Sequence, residues 1–291
     1  KTITLEKGPA NNIFLRVSTL VSEADESDAI SKSVNNSNIT PILQAFDIKA
    51  SNGKHHSSII EVTDFINSEN PLLALSDTQK RTYQLSGLEK HKSYIEGIKS
   101  FPINTEIRTV KTYRSKSASG SSPNELPAAV LAGMVTVEIN NSFILLPKTP
   151  MEKRYFDPRV GYFASSYFKY GDDQQQVDRN VFIHRWKLEP KPEDVEKWER
   201  GELVEPKKPI VFYIGPGTPN KWRPYLIQGI EDWQKAFEQA GFKNAIVGKE
   251  WPVDNDSMSL EDARFSVLRY FASPTKNAYG PNIIDPRSGE I

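Results

Sequence analysis

The sequence has no cysteine, which removes disulfides, thiolate nucleophiles and cysteine-ligated zinc together. It leaves the compartment open. Histidine is sparse, with four in 291 residues: His55, His56, His91 and His184. Net charge is also missing, because 37 lysines and arginines balance 37 aspartates and glutamates. No field draws such a chain toward nucleic acid or an acidic membrane surface. Nowhere is there a run of roughly 18 apolar residues, so no membrane-spanning helix is expected. Lys1 leads directly into the strand-like TITLEK with neither a start methionine nor a leader, and the front of the chain reads as processed or trimmed.

What is present suffices for folded cores, with 37% apolar and 10% aromatic residues in a length that accommodates two domains. Residues 1–200 read mostly as strands joined by polar turns. IFLRVSTLV (13–21), ITPILQAFDIKA (39–50), SIIEV (58–62), EIRTVKTY (106–113) and NVFIHRWKL (180–188) are rich in β-branched and aromatic residues. SNGK at 51–54 signals a hairpin, and VTVEI-NN-SFILL (135–146) a second one turning at Asn140-Asn141. Two helices interrupt the strands: a segment capped at Ser76-Asp77 and running through Tyr83, and EKHKSYIEGIKSF (89–101), with Tyr94, Ile95, Ile98 and Phe101 on one face. SKSASGSSPNELP (115–127) has the composition of a flexible loop.

A boundary falls near 190–209, where EPKPEDVEKWERGELVEPKKP reads as a connector with one short helix. Beyond it, KPIVFYI (208–214) reads as a strand buried on both faces. Thr218-Pro219 offers an N-cap and first turn for a helix to Ala240, with Trp222, Leu226, Ile230, Trp233, Phe237 and Ala240 along one stripe. Pro224 moves the regular start toward Arg223 or loosens the first turn. Gly241 is the left-handed stop, NAIVG (244–248) a second buried strand and ARFSVLRYF (263–271) a third. Strand, helix and strand in this order imply a parallel crossover. The fold class is α+β: a mainly antiparallel β domain over 1–200, then a strand-helix-strand-strand α/β segment over 206–291.

Candidate chemistry is thin. His55 and His56 are adjacent and would point to opposite faces of a strand, while His91 and His184 have no ligand at i+2 or i+4, so no zinc site is expected among them. Asp172, Asp173 and Asp178, and Asp254, Asp256, Glu261 and Asp262, carry acid-base or calcium potential but lie in polar loops where carboxylates ordinarily meet water. GPGTPN (215–220) sits between strand and helix, where phosphate loops occur, without their glycine pattern or lysine, and reads as a tight turn. D-P-R-x-G occurs twice, at 157–161 and 285–289, as turn chemistry in which Arg159 and Arg287 are candidates for holding a carboxylate. GYFASSYFKYG presents Tyr162, Phe163, Tyr167, Phe168 and Tyr170, either as core or as a binding surface.

The longest runs add a resemblance. GELVEPKKPIVFYI, TPNKWRPYLIQGIEDWQKAFEQAGFKNAI and ARFSVLRYFASPTKNAYGPNIIDPRSGEI resemble the opening of the catalytic domain in a family of large secreted bacterial zinc-dependent metalloproteases of metzincin type. ITPILQAFDIKA, IIEVTDF, PMEKRYFDPRVGYF and FIHRWKLEPK resemble the uncharacterised domain preceding it. The resemblance implies a secreted or cell-envelope protein, periplasmic or outer-membrane-associated, that hydrolyses peptide bonds by zinc-activated water. In that family the zinc ligands lie on a helix bearing H-E-x-x-H-x-x-G-x-x-H, which this sequence does not contain. No catalytic, substrate-binding or metal residue therefore carries over, and no cofactor is expected in this chain. Its partners would be the remaining catalytic segment of the same protein and a protein or peptide substrate. NIIDPRSGEI (282–291) reads as a hairpin opened and not closed, leading toward that helix, and the apolar stripe of 219–240 is expected either to pack against the rest of the domain, supplied by a separate chain or cut segment, or to leave the second domain poorly ordered. Two other readings stand beside this one: a stand-alone peptide- or glycan-binding module without enzymatic activity, and a first domain acting as a pro-segment over the zinc cleft, which without cysteine would not block the metal through a thiolate.

Overall fold

The computed structural model describes residues 1–54, 57–116, 126–273 and 277–291. These form two compact units that interleave along the chain. The first takes in residues 1–100, 104–143 and 167–178, and the second residues 101–103, 144–166 and 179–291.

The first unit is built of β1 (Thr2–Lys7), β2 (Asn12–Ser18), β3 (Ser22–Ala24), α1 (Ile30–Ser37), β4 (Ile42–Asn52), β5 (Ser57–Ile60), α2 (Thr63–Asn67), α3 (Asp77–Thr82), β6 (Leu85–Leu88), β7 (Tyr94–Ser100), β8 (Asn104–Ser115), α4 (Pro127–Ala132), β9 (Met134–Ile144) and most of β10 (Ala164–Tyr170). β1, β2, β4 and β5 form one antiparallel sheet in that order. A second sheet has β8 at its centre, with β6 and β7 antiparallel to it and β9 also paired to it. β3 lies parallel to β10, Ser22 opposite Phe168.

The long strand β8 explains where this unit's core sits. Its alternate residues Ile107, Thr109, Lys111 and Tyr113 are all buried, as the two-residue period of a strand requires of one covered face. Ile107 joins Ile66 and Leu73 in one apolar cluster, and Tyr113 joins Leu85, Ala129 and Val135 in another. Two charged side chains are buried with them. Glu106 accepts from Asn104 Nδ2, Asn140 Nδ2 and Ser142 Oγ, each at 2.6 Å. Lys111 Nζ donates to the carbonyls of Ile66 (3.0 Å) and Ser68 (2.7 Å) at the end of α2. Burial lowers its pKa below the ordinary 10.5, a shift that the charge of Glu69 opposes without cancelling.

Two sequence expectations in this unit are corrected. Residues 89–101 do not form a helix: after one turn of 3-10 helix at Lys90–Lys92 the chain becomes β7, paired along β8 from Tyr94↔Val110 to Ser100↔Thr105. Tyr94, Ile95 and Ile98 fit helical and strand periods equally over so short a run, and pairing with β8 decides. Ile95 packs into the core while Tyr94 and Ile98 stay exposed. The hairpin at Asn140-Asn141 is likewise absent, and β9 runs straight through both residues. Their side chains donate inside the unit, Asn140 to Glu106 and Asn141 to the Leu73 carbonyl, so they hold a strand in place and do not bend it. The cap at Ser76 is present as a reciprocal capping box with Gln79, starting α3. β4 and β5 form the hairpin signalled by SNGK, Asn52 opposite Ser57.

The second unit contains nearly all of β11 (Asp178–Ile183), then α5 (Val195–Glu199), β12 (Ile210–Ile214), α6 (Arg223–Glu231), α7 (Gln234–Gln239), β13 (Ile246–Glu250) and β14 (Ser266–Leu268). β13, β12 and β14 form a parallel sheet in that order. The strand-helix-strand-strand order read from sequence is present. The single helix 219–240 is not, because the chain breaks at Asp232-Trp233 into α6 and α7. α6 starts at Arg223 with Pro224 in its first turn, where a missing N–H costs nothing. Thr218 caps no helix: its amide bonds the Gly215 carbonyl in a turn. Gly241 takes φ +91° as the stop after α7.

The stripe on this segment is only partly covered. Ile230 is buried and Leu226 and Phe237 half-buried, whereas Trp222 and Trp233 are 47% and 64% exposed. Gly248 lets α6 approach β13, since a Cβ there would sit 3.0 Å from Ile227 Cα. The proline-rich connector is packed against the unit. Val204 is buried with Phe242 and Ala245, Trp198 stacks on Phe242 at 5.8 Å, and Pro190 bridges Pro206. At the end of the chain the turn folds back on itself, the Asp285 amide donating to the Glu290 carbonyl at 2.8 Å, and Glu290 and Ile291 also pair in parallel with Arg185.

Candidate functional site

In an open parallel sheet the loops after the strand ends form the usual crevice for ligands. Here β12 leads into Gly215-Pro216-Gly217-Thr218, β13 into Trp251 and β14 into Arg269-Tyr270-Phe271. Arg223, at the start of α6, fills this mouth. Its Nε donates to the Thr218 carbonyl (2.9 Å), Nη2 to the Pro216 carbonyl (2.9 Å) and Nη1 to Glu250 Oε2 (3.1 Å). Tyr213, Trp251 and Phe265 pack together at the same sheet as three edge-to-face rings, 5.6 to 5.9 Å between centroids. GPGTPN forms a tight turn, the Thr218 amide bonding the Gly215 carbonyl at 3.0 Å. The Arg223 guanidinium is committed to protein acceptors, the Arg223 amide bonds Asn220, and Pro224 has no amide to offer. Thr218 Oγ1, buried here, has no hydrogen-bond partner among the described residues.

The sequence candidates separate on inspection. His55 and His56 lie outside the described residues, as does most of the loop 115–127. His91 is exposed in its short turn. His184 Nε2 lies 2.8 Å from Ser165 Oγ, and burial lowers its pKa, favouring the neutral ring. Asp172 caps a helix across a long stretch of sequence, accepting from the amides of Ala29 (2.8 Å) and Ile30 (3.0 Å) at the start of α1. Those amides lower its pKa. Asp178 accepts from Gln174, and Asp173, Asp254 and Asp256 are exposed. Among the described residues no three His, Asp or Glu side chains come together to hold a metal ion. The zinc implied by the resemblance has no donor set among them.

Arg159 and Arg287 do not reach out for a ligand carboxylate. Each folds back on the aspartate two residues before it, Arg159 on Asp157 and Arg287 on Asp285, through a backbone amide and a two-pronged guanidinium contact. The structure adds a third copy outside the D-P-R-x-G pattern: Asp262 and Arg264 make the same arrangement, with alanine in the proline position. D-x-R is thus the operative signal, and proline is optional. Arg287 also donates to the Pro147 carbonyl at 2.7 Å, tying the final turn to a distant segment of its own unit. Burial alone would raise the Asp285 pKa, but the Arg287 hydrogen bonds outweigh it and the net shift is down. Gly289 follows at φ +79°, where an added Cβ would lie 2.2 Å from the Ile183 carbonyl oxygen.

The aromatic run GYFASSYFKYG is divided. Tyr167 is core at 5% exposure, Tyr170 is half-buried and Phe168 39% exposed, while Tyr162 and Phe163 are 51% and 82% exposed. Within β10, alternation puts Tyr167 inside and Phe168 outside, while Tyr162 and Phe163 precede the strand.

By architecture the described chain is an α+β protein dominated by β-strands. It belongs to the family described as Domain of unknown function (DUF5117), whose model matches residues 1–191. No curated protein and no solved structure matches the chain.

Proposed function

We propose that this chain is the non-catalytic portion of a secreted or cell-envelope zinc-dependent metalloendopeptidase, with the zinc-binding segment supplied by the remainder of the same protein. The observation that carries this reading is the parallel sheet β13-β12-β14 with α6 against β13, in the strand-helix-strand-strand order that the resemblance calls for. Two further features support it. The mouth of that sheet is filled by Arg223, and Trp222 and Trp233 leave apolar area open on the helical face. Under this reading the 291 residues serve as scaffold and substrate-proximal surface, and peptide-bond hydrolysis belongs to the parent protein. The test compares the purified chain with the parent polypeptide for zinc content by mass spectrometry and for cleavage of denatured casein. We expect neither in the chain and both in the parent; stoichiometric zinc with proteolysis in the chain alone overturns the proposal.

The exposure of Tyr155, Tyr162 and Phe163, at 59%, 51% and 82%, favours a second reading, a peptide- or glycan-binding module without enzymatic activity.

A further inference from the structure

The first unit carries an open groove of about 510 Å³, lined among others by Glu69, Asp77, Lys80, Arg81, Gly87 and Lys116. That is the size of a small-ligand site and too small for a folded partner. Its charges are unequally committed. Lys80 Nζ sits between Glu69 Oε1 (2.8 Å) and Asp77 Oδ1 (3.0 Å) and occupies both acids of the lining. Arg81 and Lys116 form no ion pair with a described residue. Arg81 Nε makes one long contact, 3.3 Å, to the Asp77 carbonyl, and Lys116 is anchored through its main-chain amide to Gln84. With three cations against two carboxylates, the groove keeps one positive charge in excess, on side chains that face water.

One wall is a strand edge. β6 is the terminal strand of its sheet, and its pairing with β8 slips between Leu85↔Ser115 and Leu88↔Tyr113. Ser86 and Gly87 fall between those pairs, and a side chain at Gly87 would meet nothing within 4 Å. A bulged edge, on which the Leu88 amide is taken by Glu69 Oε2 at 3.3 Å, beside two cations with no ion pair to a described residue brings a strand edge and a counter-charge together, the combination that receives the end of an extended peptide.

We propose that this groove binds the free C-terminal carboxylate of an extended peptide, held by Arg81 and Lys116 with its main chain along Ser86–Gly87. This holds whether or not the parent protein cleaves peptide bonds.

The experiment follows the 15N–1H amide signals of the whole 291-residue chain during titration with hexa-alanine bearing a free C-terminus, with the same peptide amidated, and with inorganic phosphate. We expect the signals of Ser86, Gly87 and Lys116 to move with the free acid, and at least ten-fold weaker binding by the amidated peptide. Both Arg81→Gln/Lys116→Gln and Gly87→Trp should weaken the free acid ten-fold or more, the first by removing charge and the second by filling the open space. All three positions are exposed, and an unchanged amide spectrum elsewhere reports an intact fold. Equal shifts from acid and amide, shifts that persist in both variants, no shift at these residues, or tighter binding of phosphate than of peptide each overturn the proposal.

Discussion

Lys111 shows how much a single buried charge decides. It lies in the core with two carbonyls bonded to its ammonium, and burial, only partly opposed by the charge of Glu69, lowers its pKa from the ordinary 10.5. A lowered lysine means the folded chain binds fewer protons than the unfolded one between the lowered value and 10.5, and stability rises with pH across that window. Below the window the desolvation penalty is present in full; above 10.5 it has gone. Lys111→Met removes the titrating group at nearly constant volume. We expect any advantage of the variant in urea midpoint at pH 7 to shrink steadily toward pH 10.5, as the wild type gains relative to it. Parallel pH profiles for the two proteins would show that Lys111 carries no such coupling. Neither Lys111 nor Glu106 was legible in the sequence as a buried charge. EIRTVKTY shows a strand, and its alternation places Glu106 and Lys111 on opposite faces. Which face is covered, and by what, depends on residues 66–73 and 140–142, far away along the chain.

At the scale of elements, α6 and α7 are the informative case. The spacing of apolar residues from Trp222 to Ala240 was legible as a helical stripe, and Pro224 marked the true start, but the break at 232–233 and the uneven burial were not. A stripe records which residues share a face and leaves open whether anything lies against that face. Ile230 is 9% exposed and Trp233 64%, so the two should behave differently despite their equal standing in the pattern. We expect Ile230→Ala to cost about 2 to 4 kcal/mol and Trp233→Ala less than about 1 kcal/mol, read from chemical denaturation of the chain alone. Similar costs at both positions would mean that Trp233 is covered in solution. The helix expected at 89–101 failed for a related reason. Its apolar spacing was real, and a free edge of β8 outbid the local periodicity.

Across the whole molecule, the extent of the family match and the compact units do not coincide. The match ends at residue 191, whereas the second unit takes residues 144–166 and 179–191 together with 192–291. Arg185 N donates to the Gly289 carbonyl at 2.9 Å, and Ile291 N donates back to the Arg185 carbonyl at 3.1 Å. A fragment of residues 1–191 would leave this segment without those partners. We expect hydrogen exchange at the Arg185 amide to be at least ten-fold faster in the fragment than in the full chain, with the β8 amides of the first unit unchanged. Equal protection of Arg185 in both would show that the segment is held by other contacts.

By itself the sequence determined the β-rich character of the chain, most strand positions, the cap at Ser76, the stop at Gly241 and the strand-helix-strand-strand order of its last part, because each of these rests on local sterics and short-range period. It also determined that the two D-P-R-x-G stretches are turns, since aspartate, proline and glycine act on their own neighbours. Only the tertiary structure decided that Asn140-Asn141 stays straight, that Asp172 caps a helix more than a hundred residues earlier, that Arg159 and Arg287 are already paired, and that Tyr167 is buried while Phe163 is not. Those outcomes depend on which distant strand or carbonyl arrives beside a residue, and a linear pattern holds no record of that.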